Sequence, residues 1–184
     1  RKTRLTKMHM HIAKTGKNNI FFIFAKETDN AARAGVAVSD SPTGPFQFIH
    51  SGRVNPDKLP FNMTEEEQSA LYALNMADYK EWWTPEWYKA IDKGLFIKRD
   101  LKSGQMSRDM TLYVDDDGKA YHIFSSEDNL TLHIAELSDD YQSHTGKYAR
   151  LAPAGHNEAP AIFKKDGKYW LIASGCTGWD PNEA

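Results

Sequence analysis

The chain is 184 residues long, with 40% hydrophobic residues, 26% charged residues and a formal net charge of −2. This is ordinary globular composition, which predicts a packed core and argues against disorder. Its 23 basic residues are scattered rather than gathered into a stripe, and its single cysteine excludes an internal disulfide framework or a CxxC metal site. Nothing in the pattern favours nucleic acid, a membrane surface or a membrane span.

Residues 7–50 are predicted to form the first of several similar β-units. Apolar or alternating runs predict strands over 7–12, 20–25, 35–38 and 47–50, with turn-forming residues between them. Four short consecutive strands fit one blade of a β-propeller.

Residues 61–104 lose the strand pattern and predict helices. A capping box opens at Thr64, and the helix is expected to run to about Ala77. Pro85 suits the first position of a second helix, which Gly94 is expected to end. The region is therefore interpreted as a helical insertion between blades.

Residues 81–88 are the densest aromatic patch in the chain, with three tryptophans and one tyrosine. One interpretation is that the helical insertion packs its own small core against the edge of a blade. The other is that the patch forms a wall beside a ligand cavity and offers stacking surface to a substrate. The sequence leaves both open.

The second and third units repeat each other without a gap. The differences 158 − 109, 167 − 118 and 174 − 125 all equal 49, and they join like residues in each stretch. A fixed period of this length, with strands in every unit, is typical of propeller blades. We therefore expect a blade over about 105–150 and a partial blade over 156–184. Because closure takes at least four blades, the remainder of the propeller is expected in a longer protein, without which this segment would be unstable.

Each repeat opens on an acid, Asp109 in one and Glu158 in the next. Equivalent positions of successive blades converge on the propeller axis, so the two carboxyl groups should face one cavity. Partial desolvation and a second carboxylate both favour the protonated form of an acid, as general acid catalysis requires. Arg108 would keep Asp109 ionised. Glu158 is therefore the candidate general acid.

Two patterns resemble metal ligands without completing a site. Residues 115–118 read Asp-Asp-Asp-Gly, but EF-hand spacing puts Ser126 where a glutamate is needed. We interpret them as a hairpin turn with solvated carboxylates. His9 and His11 alternate on a strand but have no evident acidic or cysteine partner. We predict no required cofactor and no metal site; a structural calcium ion is possible for such a fold but not indicated.

Specific motifs surround these acids. They are Ser-Arg-Asp-Met-Thr-Leu at 107–112, Asn-Leu-Thr-Leu-His-Ile at 129–134 and Asn-Glu-Ala-Pro-Ala at 157–161, extended by residues 32–46 and 177–182. On the basis of these motifs the chain resembles glycoside hydrolase family 43. Its motifs are most similar to those of the branch that contains exo-β-1,3-galactanases. The resemblance implies an all-β, five-bladed β-propeller, with about three blades represented here.

The resemblance also implies roles for individual residues. Glu158 matches the family's general acid and Asp109 the acid that tunes it. Five further residues match positions that line the sugar pocket: Arg108, Asn129, Thr177, Trp179 and Asn182. The general base of the family falls outside residues 1–184. The first strand, Thr6–His11, lacks the acidic residue that the galactanase-like branch carries there, so His9 or His11 would fill that space.

We therefore expect one propeller domain of an inverting, exo-acting glycosidase. Its partners would be oligo- or polysaccharides, either β-1,3-galactan-like or carrying arabinofuranosides or xylosides. A periplasmic or extracellular location fits such substrates. One alternative is a carbohydrate-binding propeller without catalysis, and a missing base in the full-length protein would favour it. A second is a retaining fructan-type hydrolase, whose nucleophile would again lie outside this chain.

Overall fold

The computed structural model describes residues 11–14, 20–26, 32–178 and 180–182. The first sheet is an antiparallel meander of four strands in chain order. They are β1 (His11–Lys14), β2 (Ile20–Lys26), β3 (Arg33–Ser39) and β4 (Gln47–Gly52). The start of the first predicted strand lies outside the described residues, and the other three strands are confirmed.

The helical insertion follows this sheet as α1 (Glu65–Ala73), α2 (Pro85–Asp92) and α3 (Leu95–Asp100). Thr64 forms the predicted capping box with Glu67.

Two details of the helices differ from prediction. Helix α1 ends at Ala73 rather than near Ala77, because Leu74 is extended and the Asn75 side chain caps a separate 3-10 turn by accepting from the Ala77 amide. Gly94 ends α2 in a left-handed conformation (φ 96°), as expected, but it also opens α3, which the sequence did not predict. Both differences arise from local backbone turns, which the spacing of hydrophobic residues in the sequence does not predict.

The second sheet repeats the four-stranded meander and a third sheet begins after it. The strands are β5 (Met110–Val114), β6 (Ala120–Ser126), β7 (Thr131–Leu137), β8 (His144–Leu151), β9 (Asn157–Lys165) and β10 (Lys168–Gly175). The first strand of the second sheet, β5, contacts both β1 and β9, the first strands of its neighbours. First strands that adjoin in this way line the axis of a propeller. The predicted all-β propeller with a helical insertion is confirmed.

Strands β5 and β9 begin at the same end of their sheets, which we call the mouth face. Because neighbouring strands are antiparallel, the β6–β7 connection, the β8–β9 connection and the end of β10 also lie there. The insertion packs against this face. Its buried Trp87, Leu95 and Phe96 cluster with Leu130 of the β6–β7 connection, and Ala154 of the β8–β9 connection packs against them.

A buried ion network fastens the insertion to the second sheet. Arg150 on β8 donates from Nε and Nη2 to the two carboxylate oxygens of Glu127 at 2.8 and 3.0 Å. His133 on β7 donates from Nε2 to Glu127 at 2.9 Å. The guanidinium also donates to the carbonyls of Ile91 and Asp92 at the end of α2, each at 2.7 Å. One side chain thus satisfies a carboxylate and a helix end together.

Charge and burial compete at this network. Burial alone would raise the pKa of Glu127, but the charge of Arg150 and the His133 hydrogen bond outweigh it and hold that pKa below its ordinary value. Burial lowers the pKa of His133, so the ring is neutral and carries its proton on Nε2. The network therefore holds one carboxylate and one guanidinium.

Residues 115–118 form the predicted hairpin turn, but the prediction of solvated carboxylates is wrong for Asp115. Its side chain is 15% exposed and accepts from Lys164 of β9 at 3.0 Å and from the Tyr169 hydroxyl of β10. Hydrogen bonds from Tyr169, the Asp116 amide and Lys164 lower the pKa of Asp115 to about 2. The turn thus ties the second sheet to the third.

Within the described ranges, no helix is long and apolar enough to cross a membrane. The same residues contain no cluster of three or more histidine, cysteine or acidic side chains that could hold a metal ion. His9 lies outside them, and only the backbone of His11 is described.

We expect Arg150→Met to lower the free energy of unfolding by about 3–5 kcal/mol, because it leaves the Glu127 carboxylate buried without its cation. Chemical denaturation of the full-length protein measures this. The matched control is Lys147→Met, which removes a half-exposed cation 3.9 Å from Glu136 and should cost less than about 1 kcal/mol. Equal effects of the two substitutions would contradict the assigned importance of the buried network.

Candidate active site

The two acids of the repeat both lie on the mouth face. Asp109 immediately precedes β5, and Glu158 is the second residue of β9; both are half-buried. Ser125, which is fully buried, connects the two strands: its amide donates to the Asp109 carbonyl at 2.8 Å and its hydroxyl to the Asn157 carbonyl at 2.8 Å. One residue therefore fixes the spacing between the two segments that carry the acids.

A β-bulge follows Glu158 directly. Glu158 pairs with Ser174 and Ala161 with Ile172, so two residues of β9 stand opposite one residue of β10. The two are Ala159, in the left-handed region at φ 51°, and Pro160, which has no amide hydrogen to give to the ladder. Bulges re-aim side chains at strand ends. This one sets the direction in which the Glu158 carboxylate leaves the strand.

The pKa of Cys176 depends on several of the candidate site residues. It follows β10, and its amide donates to the His156 carbonyl at 3.3 Å. Burial raises the pKa of the Cys176 thiol to about 12, and the charge of Glu158 and a hydrogen bond to that carboxylate raise it in the same direction. The charge of Asp109 acts likewise, whereas a hydrogen bond from Asn129 opposes it. The thiol therefore stays protonated at neutral pH.

The β6–β7 connection adds a charged and polar rim. Residues Glu127, Asp128 and Asn129 all have left-handed backbones, at φ 51°, 58° and 68°. Asp128 accepts from Arg99 of α3 at 2.5 Å and lies 3.7 Å from the guanidinium of Arg108. Arg99 of the insertion and Arg108, next to Asp109, thus both contact the Asp128 carboxylate. This shared contact links the insertion to the segment that carries Asp109.

Among the predicted sugar-binding residues, two buried polar atoms have no hydrogen-bond partner in the described part of the chain. They are Nε of Arg108, a donor, and Oδ1 of Asn129, an acceptor. Buried polar atoms are almost always paired in folded proteins, so an exception requires an explanation. A sugar hydroxyl can both donate and accept, and hydroxyls bound here would satisfy both atoms.

The loop after β10 holds two further predicted sugar-binding residues. Asn182 donates from Nδ2 to the Thr177 hydroxyl at 2.6 Å and accepts from the Gly175 amide at 2.8 Å. The Thr177 hydroxyl donates to the Asp180 carbonyl at 2.8 Å. Both side chains therefore brace the loop, which is exposed at the mouth face, while Trp179 lies outside the described residues.

The comparison with protein families agrees with this geometry. The model of glycosyl hydrolases family 43 matches residues 61–183, which include both acids and the insertion. The chain belongs to this family. Family 43 members are five-bladed propellers, and the described sheets supply successive blades of one.

Solved structures of the family are similar to the chain. A GH43 β-1,3-galactosidase solved with galactodeoxynojirimycin is 58% identical with a TM-score of 0.92; the match covers 100% of this chain and 55% of that one. An exo-β-1,3-galactanase from Clostridium thermocellum is 30% identical with a TM-score of 0.65, over 93% of this chain and 30% of that one. The chain therefore spans about half, or less, of the length of these relatives.

Among curated proteins, a β-D-galactofuranosidase from Aspergillus niger is 30% identical over 79 residues, which is 43% of this chain and 22% of that protein.

Sequence reasoning missed three residues of this site. Cys176 belongs to no recognised sequence motif. Its position directly after β10, on the mouth face, could have indicated that it lies near the site. Ser125 was noted only as a repeat position, and its bond to the Asn157 carbonyl crosses between blades. Asp128 pairs with Arg99 from the insertion, and no spacing in the sequence indicates that contact.

The bulge gives a prediction on stability. We expect Ala159→Gly to be neutral or stabilising and Ala159→Val to cost about 1–2 kcal/mol, because a β-branched residue opposes a left-handed backbone. Thermal or chemical unfolding of the full-length protein measures both. Ala161 lies two residues further along, in the regular part of the strand. There we expect glycine to destabilise the protein and valine to be tolerated, because glycine weakens a strand and valine favours it. The same order at both positions would argue against the bulge.

The thiol gives a prediction on reactivity. Cys176 should react slowly with iodoacetamide at neutral pH, and its rate should rise roughly tenfold per pH unit up to a pKa of about 12. Glu158→Gln removes a neighbouring negative charge, lowers the thiol pKa and should speed labelling at a fixed pH; Glu136→Gln, on β7, should leave the rate unchanged. A rate equal to that of free cysteine would contradict the burial of the thiol, and an unchanged rate in Glu158→Gln would contradict the proximity of Glu158.

Proposed function

We propose that the full-length protein is an inverting, exo-acting glycosidase in which Glu158 is the general acid. The observation that carries the proposal is that Asp109 and Glu158 lie at the starts of adjacent strands joined through Ser125, in a chain of family 43. Two carboxyl groups at one cavity are the usual equipment for glycoside hydrolysis.

In this mechanism Glu158 gives its proton to the glycosidic oxygen as the bond to the anomeric carbon breaks. A water molecule attacks that carbon from the opposite face and loses its proton to a general base, so the anomeric configuration inverts. Asp109 lies on the neighbouring blade and acts on Glu158 through its negative charge rather than by touching the reacting atoms. We assign the general base to a part of the propeller outside this chain.

We propose a β-1,3-linked galactan as the substrate. The support is that structures similar to this chain include a β-1,3-galactosidase and an exo-β-1,3-galactanase. The unpaired Arg108 and Asn129 atoms would bind hydroxyls of the terminal galactose, and Thr177, Trp179 and Asn182 would supply further contacts to it. Arabinofuranosides and xylosides are the competing substrates of the test below. A polysaccharide substrate in turn supports a periplasmic or extracellular location.

A carbohydrate-binding propeller without catalysis is the second candidate. It is favoured by one observation: residues 6–11, where the sequence predicts the start of the first strand, contain no carboxylate. Such a protein would bind galactan and release nothing.

We expect the full-length protein to release galactose from β-1,3-galactan, and Glu158→Gln to lower kcat by roughly 10²–10⁴-fold, the usual contribution of a general acid. The loss should be smaller for aryl galactosides with good leaving groups, because these need little protonation. Release from galactan, aryl galactosides, arabinofuranosides and xylosides is compared, and NMR of the first product identifies the anomer.

The matched control is Glu136→Gln, which changes a glutamate on β7 outside the acid pair and should leave kcat unchanged. Binding of galactan with no release of any sugar would support the binding propeller instead. Initial release of the anomer that retains the substrate configuration would overturn the inverting mechanism.

A further inference from the structure

We propose that Trp83 is a stacking site for the sugar on the leaving-group side of the bond that Glu158 protonates. This inference rests on the function proposed above and extends it to a residue of the helical insertion. It makes the insertion part of the substrate site rather than a packing element alone.

The position of Trp83 is fixed by a ring contact with His156. The two ring centres are 5.5 Å apart and the rings are inclined by 41°. His156 precedes Glu158 by two residues, so their Cα atoms are at most about 7 Å apart. Its amide donates to the Leu130 carbonyl and its carbonyl accepts from the Cys176 amide. Trp83 therefore lies beside the acid, on the mouth face.

The exposure of Trp83 leaves a ring available to a ligand. Trp87, whose ring centre is 5.1 Å away, is fully buried and supplies the packing of the insertion. Trp83 is 55% exposed although it touches that core. Large indole surfaces give much contact area at little cost in conformational entropy, and one face of galactopyranose is a patch of C–H bonds that lies flat on such a ring.

The backbone directs the ring to this position. Trp83 has φ 69° and His156 has φ 55°, so both partners are left-handed although neither is glycine. Such conformations persist where the surroundings determine them, and they concentrate at ligand sites. Thr84 fixes the next residue by capping α2, where it accepts from the Trp87 amide at 3.2 Å.

The side of the bond follows from the chemistry of the acid. A general acid protonates the leaving oxygen and therefore lies on the leaving-group side. In exo-hydrolysis the terminal galactose occupies the pocket of Arg108 and Asn129, and the second sugar passes the acid. Trp83 is next to the acid and meets this second sugar. An aryl galactoside or free galactose has no second sugar to stack.

The test compares binding of galactose and of β-1,3-galactobiose to full-length Glu158→Gln protein by calorimetry, with and without Trp83→Gly. Glycine accepts a positive φ freely, so this change removes the ring without adding strain. We expect roughly tenfold weaker binding of galactobiose, an ordinary effect for one aromatic contact, and unchanged binding of galactose. Trp83→Phe keeps a smaller ring and should lie between.

Trp82→Ala is the matched control. Trp82 is also exposed and stacks on Trp87 at 5.4 Å, but among the described residues its ring contacts Trp87 and Phe96, within the insertion. It should leave the galactobiose-to-galactose ratio unchanged. An equal loss for both ligands, no loss, or the same loss in Trp82→Ala would overturn the inference. Absence of hydrolysis by the unmodified protein would defeat the proposed function, whereas this binding contrast would still decide the role of Trp83.

Discussion

The rest of the mouth face depends on the buried pair of Glu127 and Arg150. Glu127 begins the left-handed segment that continues through Asp128 to Asn129, and its carboxylate is satisfied by Arg150 and His133. The same guanidinium holds the end of α2. A single charged contact therefore fixes the connection that carries a proposed sugar ligand and the insertion that faces it. Because the pair is buried, loss of Arg150 would leave the Glu127 carboxylate without its cation.

The acids themselves are held by backbone features rather than by each other. Ser125 sets the distance between their strands, and the bulge at Ala159 sets the direction of Glu158. Cys176 then supplies a neutral donor that remains protonated across the working range of pH, since its pKa is about 12. The segments that carry the two acids are thus positioned by a hydroxyl and by the backbone.

Features determined by residues close in the sequence were predicted more completely than contacts between residues distant in the sequence. The capping box at Thr64 and the helix opening at Pro85 were predictable because their partners lie within three residues. The register of 49 residues predicted that Asp109 and Glu158 open equivalent strands, and both do. The roles of Cys176, Ser125 and Asp128 could not be predicted, because their partners are brought close only by the stacking of blades and by the insertion. The role of Glu158 itself stays a prediction.

The contact between Asp115 and Lys164 has a consequence for how blades recognise their neighbours. The difference 164 − 115 is 49, so the two occupy the same position of successive repeats yet carry opposite charges. A copy of the second blade docked in place of the third would set aspartate against aspartate. The charge pair therefore favours this order of the two blades over a tandem copy of the second one.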